Sequence, residues 1–302
     1  MKRFVLGVLI LAVAVVASLW GFAHLAGGRT DPFYLRFATP KQDSMILGTS
    51  RAAQGMRPEV MNEVLEGAGL FNFSFTVASS PYGKKYTECI RRKLSDTDAE
   101  GLFILTVDPW SVSSTSSDPN DESSFRENRS RIEIGEVSTH PNFEYLFDYF
   151  DGNYSEILTN RWVAPFQLHE DGWLEPRIPL SESARTSRRE KKIAEYRELA
   201  KSYRRSSSRL ASIEELVSLL SERGEVYLVR LPVSPEMRAI ENEAFPGFDE
   251  EMVASSSKWG VPYLSMRDKS SDYGFTDGHH LDPDSAAAVS RFIAGWVRDQ
   301  AS

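Results

Sequence analysis

Charge is absent from a long stretch near the start of the chain. Met-Lys-Arg leads directly into FVLGVLILAVAVVASLWGFA. About 20 such residues, coiled as a helix, cross the hydrocarbon core of a bilayer. Lys2 and Arg3 precede the run, so the positive-inside rule keeps the N-terminus cytoplasmic and sends everything after Gly27 to the far side. A cleaved signal peptide competes with this reading, with Val15-Val16-Ala17 as its small-residue cleavage site. The apolar run continues past that site through Leu19, Trp20 and Phe22, which favours an uncleaved single-pass anchor over residues 1–27. Either way the remainder is expected to be extracytoplasmic, in a periplasm or at a cell surface.

After the polar linker GGRTDPFYLRFATPKQD the pattern changes to short apolar runs alternating with segments of helical periodicity. SMILGTS reads as a buried strand and RPEVMNEVLEGAG as a helix. LFNFSF follows as a strand, SPYGKKYTECIRRKL as a helix, and GLFILTVDPW as a strand stopped by Pro109. Such alternation predicts a mostly parallel sheet covered on both faces. From Ser111 to about Arg209 the pattern breaks into a Ser/Asp/Asn stretch, the aromatic piece NFEYLFDYF, QLHEDGWLEPRIPL and the charged helical run SRREKKIAEYRELAKSYRR. Residues from about 113 to 209 are therefore read as an insertion within one α/β domain of residues 28–302. It is expected to cap the crevice, with its aromatic stretch shielding the site. Strand and helix logic resumes with SIEELVSLLSERG, EVYLVRLPV, DEEMVASSSKWG and VPYLSM. The tail FTDGHHLDPDSAAAVSRFIAGWVRDQ ends in an amphipathic helix that closes the domain.

Composition narrows the function classes. The 302 residues are 41% hydrophobic and 26% charged, enough for one sizeable core. A formal charge of −8 gives no reason to expect nucleic acid, which selects a basic face. Cys89 is the single cysteine and cannot form an internal disulfide, and no Cys/His cluster has the spacing of a zinc site, so neither metal nor cofactor is expected. His140 and His169 lie in the insertion without partnering spacing and read as ordinary surface or cleft residues. The basic run from Arg185 to Arg209 reads as a solvated helix face in preference to a patch for anionic lipid.

Open parallel sheets bind ligands beyond the carboxyl ends of their strands. The strand ends here are Ser50, Asn72 to Thr76, Asp108, Pro232 to Ser234, and the Asp277 to His280 loop. A serine hydroxyl becomes a nucleophile when a histidine can take its proton and an acid holds that imidazole in the right tautomer. TDGHHL supplies both. ILGTSRA near the start of the domain, paired with D-G-x-H near its end, resembles the SGNH/GDSL hydrolase superfamily. It is closest in layout to the membrane-anchored, extracytoplasmic branch that acylates or deacylates envelope polymers. The resemblance covers roughly residues 44–110 and 210–300. It implies a three-layer α/β/α, flavodoxin-like fold, with Ser50 as nucleophile, Asp277 as orienting acid, and His280, not His279, as general base. The implied substrate is an ester-bearing glycan or small acyl ester, acting together with envelope polysaccharide machinery. No cofactor is implied.

Two departures bear on chemistry. The family's second block supplies a glycine amide and its third an asparagine, whereas NFSFTVASS has no glycine and TVDPW has Asp108 near the expected asparagine. The backbone amides of Val77 or Ala78 and the side chain of Asn72 are the substitute oxyanion donors, since an ionised Asp108 cannot donate. Trp110 is a candidate for stacking on a sugar ring, against a core role beside a strand end. Arg51 could hold a substrate carboxylate or phosphate, against a structural ion pair. Two other readings remain. One is a non-catalytic envelope assembly or glycan-binding protein on the same fold; the other, an α/β-hydrolase lipase, fits less well because Asp277 and His280 share one loop.

Overall fold

In the computed structural model, which describes residues 1–159 and 165–300, the first element is α1 (Lys2–Ala23), a helix long and apolar enough to cross a membrane. Its last turn does not end in open solvent. Ala23 and Ala26 are buried in the same apolar cluster as Tyr34 and Phe37, the latter two on the short helix α2 (Tyr34–Ala38).

The domain is α/β, built on five strands. β1 (Ser44–Leu47) leads into α3 (Ser50–Gly55) and α4 (Pro58–Val64), then β2 (Leu70–Asn72), α5 (Lys84–Lys93) and β3 (Gly101–Thr106). The RPEVMNEVLEGAG helix is thus split from a preceding turn of helix that starts at Ser50. Pro58 sits at the first helical position of the second piece, where its missing N–H breaks no bond. LFNFSF gives three residues of regular strand; beyond it Phe73 and Phe75 N–H still donate to Ile46 O and Gly48 O, while their rings pack on Phe37.

The long connection contains β4 (Ser113–Ser114), α6 (Tyr154–Thr159), β5 (Phe166–Leu168), β6 (Leu174–Pro176), α7 (Glu182–Ala200) and β7 (Arg204–Arg205). β4 pairs with β7 and β5 with β6, both antiparallel. The 160–164 part of the insertion lies outside the described residues. The core resumes with α8 (Ser207–Ser221), β8 (Gly224–Arg230), α9 (Pro235–Ala244), α10 (Phe248–Trp259), β9 (Tyr263–Ser265) and α11 (Pro283–Gln300). The hydrophobic pattern alone passed over α9. Its signals are local, with the Ser234 side chain accepting from Met237 N–H and Pro235 at the first turn.

The sheet order is β2-β1-β3-β8-β9 and every pairing in it is parallel. Strands buried on both faces read as continuous apolar runs, as in SMIL and GLFILT, where every residue is buried. Alternate residues then separate by face. Met45, Leu47, Phe103, Leu105 and Leu228 join a cluster with Ile90 of α5, Leu216 of α8 and Met252 of α10. Ile46, Ile104, Tyr227 and Val229 join another with Ala52, Met61 and, from α11, Val289 and Ile293. Strand order reverses between β1 and β3, which opens a crevice at their carboxyl ends. Ser50 stands there.

Candidate active site

Gly48 and Thr49 alone separate the end of β1 from Ser50, the first residue of α3. Gly48 has φ +151°, and a Cβ on it would fall 1.9 Å from Thr106 Oγ1, so any other residue at this turn is strained and must displace the Thr106 side chain. The turn is fixed from outside. Gly48 N–H donates to Tyr86 Oη, and Gly48 O accepts from Ser80 Oγ at 2.7 Å. At a helix start the first N–H groups have no intrahelical acceptor, so Ser50 brings an amide as well as a hydroxyl to the crevice.

The loop after β9 meets it. His280 Nε2 lies 2.9 Å from Ser50 Oγ, and His280 Nδ1 lies 2.9 Å from Asp277 Oδ2. Asp277 Oδ1 accepts the backbone N–H of both His279 and His280 at 2.9 Å, so one carboxylate folds the loop and orients the ring. Gly278 allows the tight return, with φ +81°. Burial would raise the Asp277 pKa, but His280 and the two amides outweigh it and hold the carboxyl well below the usual range. An ionised Asp277 requires a proton on Nδ1, which leaves Nε2 free to accept from Ser50. Ser50, Asp277 and His280 are all partly exposed. A cleft of about 560 Å³ lies on the α7 side of the loop, lined among others by Arg189, Ser234 and Gly278.

His279 faces the other way, into a sealed polar cluster. Its Nε2 is 3.0 Å from Tyr196 Oη on α7 and its Nδ1 is 3.1 Å from Arg51 Nη2. A guanidinium only donates, so Nδ1 accepts and Nε2 carries the proton toward Tyr196. Burial, then the nearby Arg51 charge, drive the His279 pKa well below its ordinary value, so the ring is neutral. Arg51 Nη2 also donates to Glu241, which pairs in turn with Arg230 at 2.8 Å; Arg230 continues to Asp249. Burial alone would raise the Glu241 pKa, but the two guanidinium groups keep it low. Arg51 Nε and Nη1 are buried without a protein partner. This cluster was missed from the sequence. Its signal was Glu241 itself, an acid on the buried stripe of α9 with Met237 and Ile240.

The remaining candidates are placed as follows. Asn72 does not reach the site as a donor: its Nδ2 donates to Ala52 O at 2.8 Å and Met56 O at 2.9 Å, using both amide protons to hold α3 against β2. Asp108 folds its own turn, Oδ1 accepting from Trp110 N–H and Ser111 N–H, and burial raises its pKa. Trp110 is no sugar platform. It is 1% exposed, packs edge-on to Tyr196, Tyr203 and Phe245, and donates Nε1–H to Glu241. Arg51 takes the structural ion pair. Val77 and Ala78 sit in the turn after Phe75, whose own bonds run from Ser79 and Ser80 N–H to Thr76 O, and Phe75 N–H and Ser80 Oγ tie that turn to Gly48 O.

The insertion does not shield the site with its aromatic stretch. Tyr145 packs on Tyr34 and Phe37, away from the loop of His280. Two other parts flank the site instead: α7 through Tyr196, and the β5–β6 hairpin, whose Trp173 Nε1 donates to Gln54 O on α3. His169 pairs with Glu175 and His140 with Tyr34 Oη, and both line a cleft of about 980 Å³. Among the described residues no group of three or more His, Cys, Asp or Glu could hold a metal ion. No protein-family model matches the chain, and no curated protein sequence matches it.

Proposed function

We propose that the chain is a membrane-anchored serine esterase or acyltransferase of SGNH type, a three-layer α/β/α domain held on the extracytoplasmic side by α1. The observation that carries this reading is the Ser50–His280–Asp277 relay at a strand-end crevice, with both links at 2.9 Å. In this reading His280 Nε2 takes the Ser50 proton as Oγ attacks an ester carbonyl. The oxyanion forms against the Ser50 N–H and a backbone amide of Val77 or Ala78. His280 then protonates the leaving alkoxide, and water or a sugar hydroxyl, deprotonated by the same nitrogen, receives the acyl group. The substrate class is an acylated, for example O-acetylated, envelope glycan or a related ester.

A second reading, a catalytically inactive envelope assembly or glycan-binding protein, is favoured by one feature. The side chains nearest the expected oxyanion position, Asn72 and Asp108, are both committed to backbone groups. Loss of one oxyanion donor costs about 3 kcal/mol of transition-state stabilisation. Incubating the full chain in detergent with a fluorophosphonate and mapping the adduct separates the two. The enzyme reading expects labelling at Ser50 that His280→Ala abolishes. A folded wild-type chain that neither labels nor turns over any of several acyl esters would leave the binding protein.

A further inference from the structure

Around the exit of α1 the domain surface carries large apolar side chains that its own core does not cover. Phe147 is 67% exposed and Leu158 62% exposed, with Phe143 and Tyr154 also exposed. They belong to two segments that α1 itself touches. Phe22, in the last turn of α1, meets the Tyr154 ring edge-on at 6.2 Å, and His24 meets His140 at 5.2 Å. Tyr154 Oη donates to Leu146 O, which ties the segments to each other. The local geometry sorts their faces. Phe143 and Phe147 stack one helical turn apart and point outward, while Tyr145 and Leu146 between them are buried. Tyr154 and Leu158 repeat the spacing on α6, with Ile157 buried in the cluster that holds Ala23.

We propose that Phe143, Phe147, Tyr154 and Leu158 enter the boundary between headgroups and acyl chains of the leaflet that faces the domain. The domain then lies on the membrane surface and does not sway from a tether. This rests on the reading of α1 as a membrane span. The occupant is lipid because the patch continues the apolar surface of α1, through exposed Trp20 and Leu25, without a polar break at Phe22 and Tyr154. Aromatic side chains favour that depth, where a ring meets both acyl and polar groups. Residues 143–158 contain no Lys or Arg and include Glu144, Asp148, Asp151 and Glu156, so the attraction is apolar and not to anionic headgroups.

The test places an environment-sensitive nitrobenzoxadiazole label on Phe147→Cys, Leu158→Cys, Val13→Cys and Lys258→Cys in the full chain, reconstituted in phosphatidylcholine vesicles with and without phosphatidylglycerol. The single native cysteine, Cys89, is buried. Labels at 147 and 158 should emit to the blue and be quenched by shallow nitroxide lipids, equally in neutral and anionic vesicles; the label at 258, on exposed α10, should do neither. Quenching at 13 but not at 147 or 158 overturns the surface-lying domain and leaves the span intact. Absence of quenching at 13 by lipids carrying deep nitroxides as well overturns the reading of α1 on which it rests. Quenching at 147 and 158 only when phosphatidylglycerol is present overturns the apolar mechanism.

Discussion

Adjacent residues His279 and His280 head two regions that share ingredients but not design. On the His280 side the polar groups form an open line of one acid, one imidazole and one hydroxyl, partly exposed, with every proton accepted by the next member and the Ser50 oxygen left open on one side. On the His279 side Tyr196, Arg51, Glu241 and Arg230 form a closed cluster in which one carboxylate faces two guanidinium groups in the buried interior. The first can move a proton because its members have a place to send it. The second cannot, and its charges are held by mutual compensation, so its effect on chemistry runs through the position of α3 and of the His280 ring, which packs against the His279 ring at 4.5 Å.

The comparison predicts unequal responses. The largest falls on the open line: Ser50→Ala and His280→Ala should each lower kcat for a small acetyl ester by about 10⁴-fold with unfolding midpoints nearly unchanged, and Asp277→Asn should lower kcat comparably while also lowering the midpoint, because its carboxylate folds the loop. Combining Ser50→Ala with His280→Ala should add little, because the members act as one unit. Equal losses from His279→Gln and His280→Gln would erase the distinction. Next comes the closed cluster. Glu241→Gln leaves two buried guanidinium groups without their shared anion and should destabilise the fold by about 3–5 kcal/mol in urea titrations. A variant of unchanged stability with lost turnover would move Glu241 into the chemistry.

The smallest effect sharpens the contrast through pH. His279 binds its proton less readily folded than unfolded, so the unfolded chain takes up the extra proton as pH falls below its ordinary value of 6.5. Its contribution is fully present above 6.5 and declines below it, by at most about 1.4 kcal/mol per pH unit for one proton. Asp277 acts in the same direction only below its ordinary value of 3.8. Urea midpoints at pH 7.5 and 5.5 should therefore differ in the wild type and differ by less in His279→Gln, the remainder belonging to His140 and Lys93, whose pKa values burial also lowers. A difference left unchanged by the substitution would assign the whole slope to those other groups.

The sheet was legible because its strands are buried on both faces, and SMIL or GLFILT admits few other readings. The serine and the D-G-x-H loop were legible as a pair through the resemblance their motifs carry; Ser50 follows β1 almost directly, whereas Asp277 and His280 come well past the end of β9. Pairing was less visible where polar groups satisfy one another. Asn72 looks like a free donor in the sequence, yet its amide protons hold α3 in place, a choice set by the approach of Ala52 O and Met56 O. Trp110 and Arg51 could each have faced substrate, and Glu241 draws both inward. The insertion was hardest because its aromatic stretch could have covered any apolar face. It covers the one around Tyr34 and Phe37, which nothing in its own spacing specifies.

Ser50 and His280 lie 230 positions apart along the chain. During synthesis the segment that forms α1 leaves the ribosome before Ser50, and the loop that carries His280 follows much later, after which α11 must still dock on α3 and α4. Until then the hydroxyl is an ordinary alcohol. Partner groups so remote in sequence meet only after slow, long-range closure, so their contact reports completed assembly and not the presence of the polypeptide. A nascent or truncated chain therefore lacks the Ser50–His280 pair, which arrives only with the finished fold.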